Sequence, residues 1–82
     1  MQTYLITFRS VTYAQRGARL LESLGIRCRL RRTPRWLETR GCGYALELEQ
    51  WQTAAQALEE QKIPRQKIYR LRGPEQAEEV HP

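Results

Sequence analysis

Ile26-Arg27-Cys28-Arg29-Leu30-Arg31 alternates an apolar side chain with an arginine at every step, and Tyr44-Ala45-Leu46-Glu47-Leu48-Glu49 repeats the alternation thirteen residues after its close. A period of two is that of a half-buried strand, so Ile26, Cys28 and Leu30 face a core and Tyr44, Leu46 and Leu48 face it from a second strand. Thr33-Pro34 ends the first of these runs, because proline has no ladder donor and restricts the residue before it. The two strands therefore form a pair joined by a loop from Thr33 to Gly43.

Working outward, each strand has a helical pattern beyond it. Val11, Ala14, Ala18 and Leu21 recur at three- and four-residue steps, with Ser10 where an N-cap belongs and Gly25 where the helix should stop. Trp51, Ala54, Ala55 and Leu58 do the same on the other side, in a run of good helix formers that Pro64 closes. Outside the helices lie Tyr4-Leu5-Ile6-Thr7-Phe8, which reads as a strand with Tyr4, Ile6 and Phe8 on one face, and Lys67-Ile68-Tyr69-Arg70-Leu71, a less regular strand expected at a sheet edge. From Gly73 onward little can be buried, and the composition predicts a disordered tail over 73–82.

The order strand, helix, strand, strand, helix, strand is that of a split βαβ, or ferredoxin-like, α+β sandwich. Right-handed crossovers then give an antiparallel sheet of order 4-1-3-2 with both helices on one face. At 82 residues the chain is one small domain, expected over 1–72. Its 28% charged and 40% hydrophobic residues are those of a globular protein. The opening residues lack the basic start and apolar core of a signal peptide, so the expected location is the cytoplasm, without a membrane span. Two cysteines in that compartment are expected as thiols.

Between the paired strands lies Thr33-Pro34-Arg35-Trp36-Leu37-Glu38-Thr39-Arg40-Gly41-Cys42-Gly43, where a thiol stands between two residues without a Cβ. Nearby arginines favour thiolate, the form that acts as nucleophile. The 4-1-3-2 order brings the start of the third strand beside the end of the first, so Cys42 is expected near the N-terminus of the first helix, where free amides and the helix dipole stabilise an anion. Arg35, Arg40, Gly41, Gly43, Ser10, Thr12, Arg9 and Thr39 are then the candidates to stabilise whatever the sulfur carries.

Cys28 alternates with Ile26 and Leu30 and reads as a small buried hydrophobe. A bridge from Cys28 to Cys42 would have to span about 13 Å along the hairpin, against a Cα separation limit of about 7 Å. Two cysteines and His81 are too few for a tetrahedral zinc or iron–sulfur site in one chain, and neither a metal nor a cofactor is expected. With no nucleophile–base pair, a stand-alone hydrolase or acyl transferase has little support.

The formal charge of +5 admits acidic partners, anions or nucleic acid. The arginines of the second strand have Glu47 and Glu49 as neighbours on the third, the ordinary cross-strand pairing of an exposed face. RNA binding on this fold needs aromatics on the helix-free face. There the pattern leaves Leu5, Thr7, Ala45 and Glu47, which argues against nucleic acid. Trp51 reads as a packing residue; Trp36, in the loop, could shield the thiol.

Thr7-Phe8-Arg9-Ser10, Ala14, Gly25-Ile26, Thr33-Pro34-Arg35 and Gly41-Cys42-Gly43-Tyr44-Ala45-Leu46 together resemble the selenium/sulfur (Se/S) carrier protein-like family of small bacterial domains. The likeness runs to about Leu71, and its most specific part is Thr-Pro-Arg followed shortly by Cys-Gly. The resemblance implies that Cys42 carries sulfur or selenium as a persulfide or selenopersulfide, from a donor desulfurase to an acceptor protein. The segment before the cysteine is commonly serine-rich in that family, and here only Thr39 retains a hydroxyl. The alternative is a small non-enzymatic interaction or anion-binding module in which Cys42 is incidental. Edge strands leave a homodimer open.

Overall fold

The computed structural model describes residues 2–37, 41 and 43–82. Within them the chain forms β1 (Tyr4–Thr7), α1 (Val11–Ser23), β2 (Cys28–Arg32), β3 (Tyr44–Leu48), α2 (Trp51–Glu60), β4 (Ile68–Gly73) and β5 (Gln76–Val80). This is an α+β fold with a five-stranded antiparallel sheet in the order β2-β3-β1-β4-β5.

The fifth strand corrects two expectations. A four-stranded sheet of order 4-1-3-2 would end at β4, whereas β4 lies between β1 and β5. The disordered tail is replaced over Gln76–Val80 by a strand in register with β4, Ile68 opposite Val80 and Leu71 opposite Ala77. Three of the five residues of β5 are exposed, so burial alone does not hold it. The backbone ladder with β4 holds it, flanked by exposed ion pairs of Glu79 with Lys67 at 3.7 Å and of Glu78 with Arg70 at 3.4 Å and Arg72 at 3.5 Å.

One face of the sheet buries its apolar stripe against the helices. Ile6, Phe8, Leu46, Leu48 and Ile68 join Ala14 and Leu21 of α1 and Ala54, Ala55, Ala57 and Leu58 of α2 in one cluster. Cys28 and Leu30 pack at its margin, as their alternation predicts. Ser10 caps α1, its Oγ accepting from the Tyr13 amide at 3.1 Å, and Leu24 followed by Gly25 at φ +76° closes the helix. Trp51 opens α2 and stacks on Tyr4 with ring centroids 5.5 Å apart.

The helix-free face is not open at its centre. Leu5 and Ala45 point away from the helices yet are 0% exposed, and Thr7 is buried beside them. Trp36 and Leu37 line a hollow of about 480 Å³ with Arg72 and Glu75 to Glu78 of the β4–β5 hairpin, at the far edge from β2. Pro34 to Leu37, turned by a 3.0 Å bond from the Leu37 amide to the Pro34 carbonyl, thus leads from the β2 edge to the hairpin at the other.

Candidate functional site

The end of β1 is where the loop returns. Thr33 donates its amide to the Gly43 carbonyl at 2.8 Å, extending the β2–β3 ladder by one pair beyond Arg32 and Tyr44. Gly43 has φ +83°, a left-handed conformation that glycine adopts without steric cost. Gly41 lies against the Phe8 carbonyl, two residues before the Ser10 cap of α1. A Cβ built on it would stand 2.5 Å from the Phe8 oxygen and 2.8 Å from Gln66 Oε1, closer than any side chain tolerates. Glycine on either side of position 42 therefore has a separate reason: one needs a left-handed turn, the other a bare Cα.

The candidate residues divide by what the structure shows of them. Arg9 is exposed just beyond Phe8; Ser10 is the N-cap, its oxygen committed to Tyr13; Thr12 is exposed in the first turn of α1. No acidic side chain stands in that first turn, so its positive end is not neutralised locally. Arg35 is exposed in the turn after Pro34. Gly41 and Gly43 are brought to the end of β1 as above. Cys42, Thr39 and Arg40 lie outside the described residues. Trp36 sits against the β4–β5 hairpin, whose turn is at the opposite end of β1, since Leu71 donates to Thr3.

Sequence reasoning missed Gln66. The chain between α2 and β4 is laced to the end of β1: Gln66 donates its amide to the Thr7 carbonyl at 2.7 Å, and Thr7 Oγ1 accepts from the Lys67 amide at 3.1 Å while lying 3.2 Å from the Lys67 carbonyl. This presses the Gln66 carboxamide onto Gly41. Arg65 reaches back to the Gln66 carbonyl at 3.2 Å. A glutamine in an irregular stretch after Pro64 carries no periodic signal that could have singled it out.

Cys28, at the other end of the sheet, has a different setting. Its Sγ is 3.9 Å from the Ala18 carbonyl. Burial, and then the negative charge of Glu22, push its thiol above the ordinary value. It lines an open groove of about 730 Å³ with Glu22, Arg27, Arg29, Glu47 and Glu49. Thr33, opposite Gly43, is five residues further along β2, or roughly 17 Å of strand. The arginine row is partly neutralised as its cross-strand neighbours suggest: Glu47 accepts from Arg31 at 2.8 Å and from Arg29 at 3.2 Å, and the Arg31 bond is the main cause of its lowered pKa. No group of three or more potential metal ligands occurs among the described residues, and no described helix is long and apolar enough to cross a membrane.

A family model described as "Putative Se/S carrier protein-like" matches residues 3–70, most of the chain. Searches of curated proteins and of solved structures find no significant match.

Proposed function

The chain belongs to the Se/S carrier protein-like family, and on that premise we propose that it carries sulfur or selenium on Cys42 as a persulfide or selenopersulfide. The family match supports the carrier role; the observation that supports the site is the seat of Gly41 on the Phe8 carbonyl, beside the uncompensated N-terminus of α1. Arg9, Arg35 and Arg40, with the amides that open α1, stabilise the anion, and Ser10, Thr12 and Thr39 supply hydroxyls. Gly41 and Gly43 keep the flanks of the sulfur bare.

The transfer balances without an oxidant. The Cys42 thiolate attacks the outer sulfur of a donor's persulfide, a new S–S bond forms on Cys42, the donor's S–S bond breaks, and the donor cysteine leaves as thiolate. Delivery repeats the step with an acceptor thiol as attacker. The partners are thus a desulfurase donor and a thiol-bearing acceptor protein, and the chain acts as a carrier, with no resident cofactor, on the four-strand ferredoxin-like part of its sheet.

Incubation with a cysteine desulfurase and cysteine, followed by intact mass measurement, tests this. A gain of one sulfur atom that dithiothreitol removes, retained in Cys28→Ser and lost in Cys42→Ser, is expected. An unchanged mass, or a gain that persists in Cys42→Ser, contradicts it.

A further inference from the structure

β2 forms one edge of the sheet, and its backbone orientation follows from a single bond. Because Thr33 and Gly43 are a hydrogen-bonded pair, the alternation of the ladder turns the amides and carbonyls of Arg31 and Arg29 toward β3. Those of Cys28, Leu30 and Arg32 face outward. The Arg32 carbonyl is met by its neighbour's side chain, Arg31 Nε at 3.1 Å; the Leu30 amide has no acceptor among the described residues. Among the described residues, this edge thus keeps outward ladder groups other than the Arg32 carbonyl without a strand partner.

The side chains along this edge carry uncompensated charge. Residues 27–35 contain five arginines, Arg27, Arg29, Arg31, Arg32 and Arg35. Glu47 serves Arg29 and Arg31 together. Arg27, Arg32 and Arg35 have no carboxylate partner among the described residues; Arg32 lies over the Tyr44 ring at 5.4 Å. The opposite edge differs, because the glutamates of β5 are already held by Lys67, Arg70 and Arg72.

We propose that the β2 edge docks an extended acidic segment of a partner protein, which adds a sixth strand beside Cys28–Arg32 through the outward backbone of Leu30 and Arg32. Added strands take their affinity from main-chain bonds and their selectivity from side chains on alternate positions. Here those side chains are arginines, which suit carboxylates. A second copy is a poor occupant, since pairing two β2 edges sets arginine against arginine. Nucleic acid is a poor one as well, because Glu22, Glu47 and Glu49 line the adjoining groove with Arg27 and Arg29. At its Thr33 end the docked strand would run toward Gly43 and the end of β1. That the partner is the sulfur donor or acceptor rests on the carrier reading above; the surface itself does not.

The test uses the Cys42→Ser protein, labelled with nitrogen-15, and an N-acetylated, C-amidated peptide of alternating glutamate and valine. Saturable shifts centred on the Leu30 and Arg32 amides are expected, with slowed hydrogen exchange at both. Arg27→Glu with Arg32→Glu should weaken binding by at least about tenfold, equivalent to about 1.4 kcal/mol. Leu30→Pro, which removes an edge donor, should weaken it while the rest of the spectrum shows the fold intact. The lysine–valine counterpart should not bind. Shifts elsewhere on the molecule, binding indifferent to Leu30→Pro, a dimer seen by sedimentation without peptide, or an oligothymidine that displaces the peptide from these amides would overturn the proposal. Peptide binding by a protein whose Cys42 takes no sulfur would leave the docking edge standing and remove the carrier reading; loading without peptide binding would do the reverse.

Discussion

The two ends of the sheet are built to opposite electrostatic and steric rules. At the end where β1 finishes, Gly41 is pressed onto the Phe8 carbonyl, α1 begins with no acidic residue in its first turn, and Arg9 follows Phe8 while Arg65 bonds the Gln66 carbonyl. At the end where β1 starts, Cys28 lies in a wide groove among Glu22, Glu47 and Glu49, with burial and a carboxylate raising its pKa. One end is tight and opens a helix with no acidic residue in its first turn; the other is roomy, and burial and Glu22 push its thiol toward the protonated form.

The largest effect expected from breaking this contrast is at Gly41. Gly41→Ala forces a Cβ toward the Phe8 oxygen and should cost about 1–3 kcal/mol by overpacking, read as a lowered urea midpoint. Gly25→Ala at the other end meets nothing within 4 Å and pays only for its φ of +76°, about 1–2 kcal/mol. A Gly41→Ala protein as stable as the parent would show that the tight end is not tight.

Next come the helix starts. Ser10→Ala removes the bond to the Tyr13 amide and should cost about 1 kcal/mol. Gln50, which precedes α2, makes no side-chain capping bond, and Gln50→Ala should stay within about 0.5 kcal/mol. Equal losses in thermal melts would erase the distinction between the two helices.

The titrations are subtler. The folded pKa of Cys28 is raised above its ordinary 9.0, so the unfolded chain releases that proton first, and stability should fall as pH rises past 9.0. Cys28→Ala should flatten that decline, and Glu22→Gln should reduce it slightly. Glu47 has the opposite sign. Its pKa is lowered by Arg31 and Arg29 from 4.5, so its contribution is present above 4.5 and lost as pH falls through the folded value. Arg31→Gln should shrink that acid loss, measured by denaturant titration between neutral and acid pH, by a small amount given the exposure of the pair.

Much of this fold is legible in the chain because burial imposes a period. Ile26 to Leu30 and Tyr44 to Leu48 had to alternate to keep one face on the helices, and Ser10 and Gly25 mark the helix ends that they cap and close. β5 is not legible for the same reason. Gln76-Ala77-Glu78-Glu79-Val80 buries little, and its strand rests on a backbone ladder with β4, with carboxylates meeting Lys67, Arg70 and Arg72, a match visible only once β4 is in place. The meeting of Trp36 and Leu37 with the β4–β5 hairpin escaped similarly, since nothing in those two residues states how far their loop travels. Of the candidate site, the two glycines were readable as a pair, but Gln66 becomes a neighbour of Gly41 only through the tie between Thr7 and Lys67.

The most direct measurement is the pH dependence of alkylation in two single-cysteine proteins, Cys28→Ala and Cys42→Ala, followed by mass. Cys42 is expected to react with an apparent pKa below the free thiol value of about 8.5, and Cys28 to react slowly, with an apparent pKa raised above the ordinary thiol value by burial and Glu22. Matching profiles, or a Cys42 that titrates above Cys28, would contradict this.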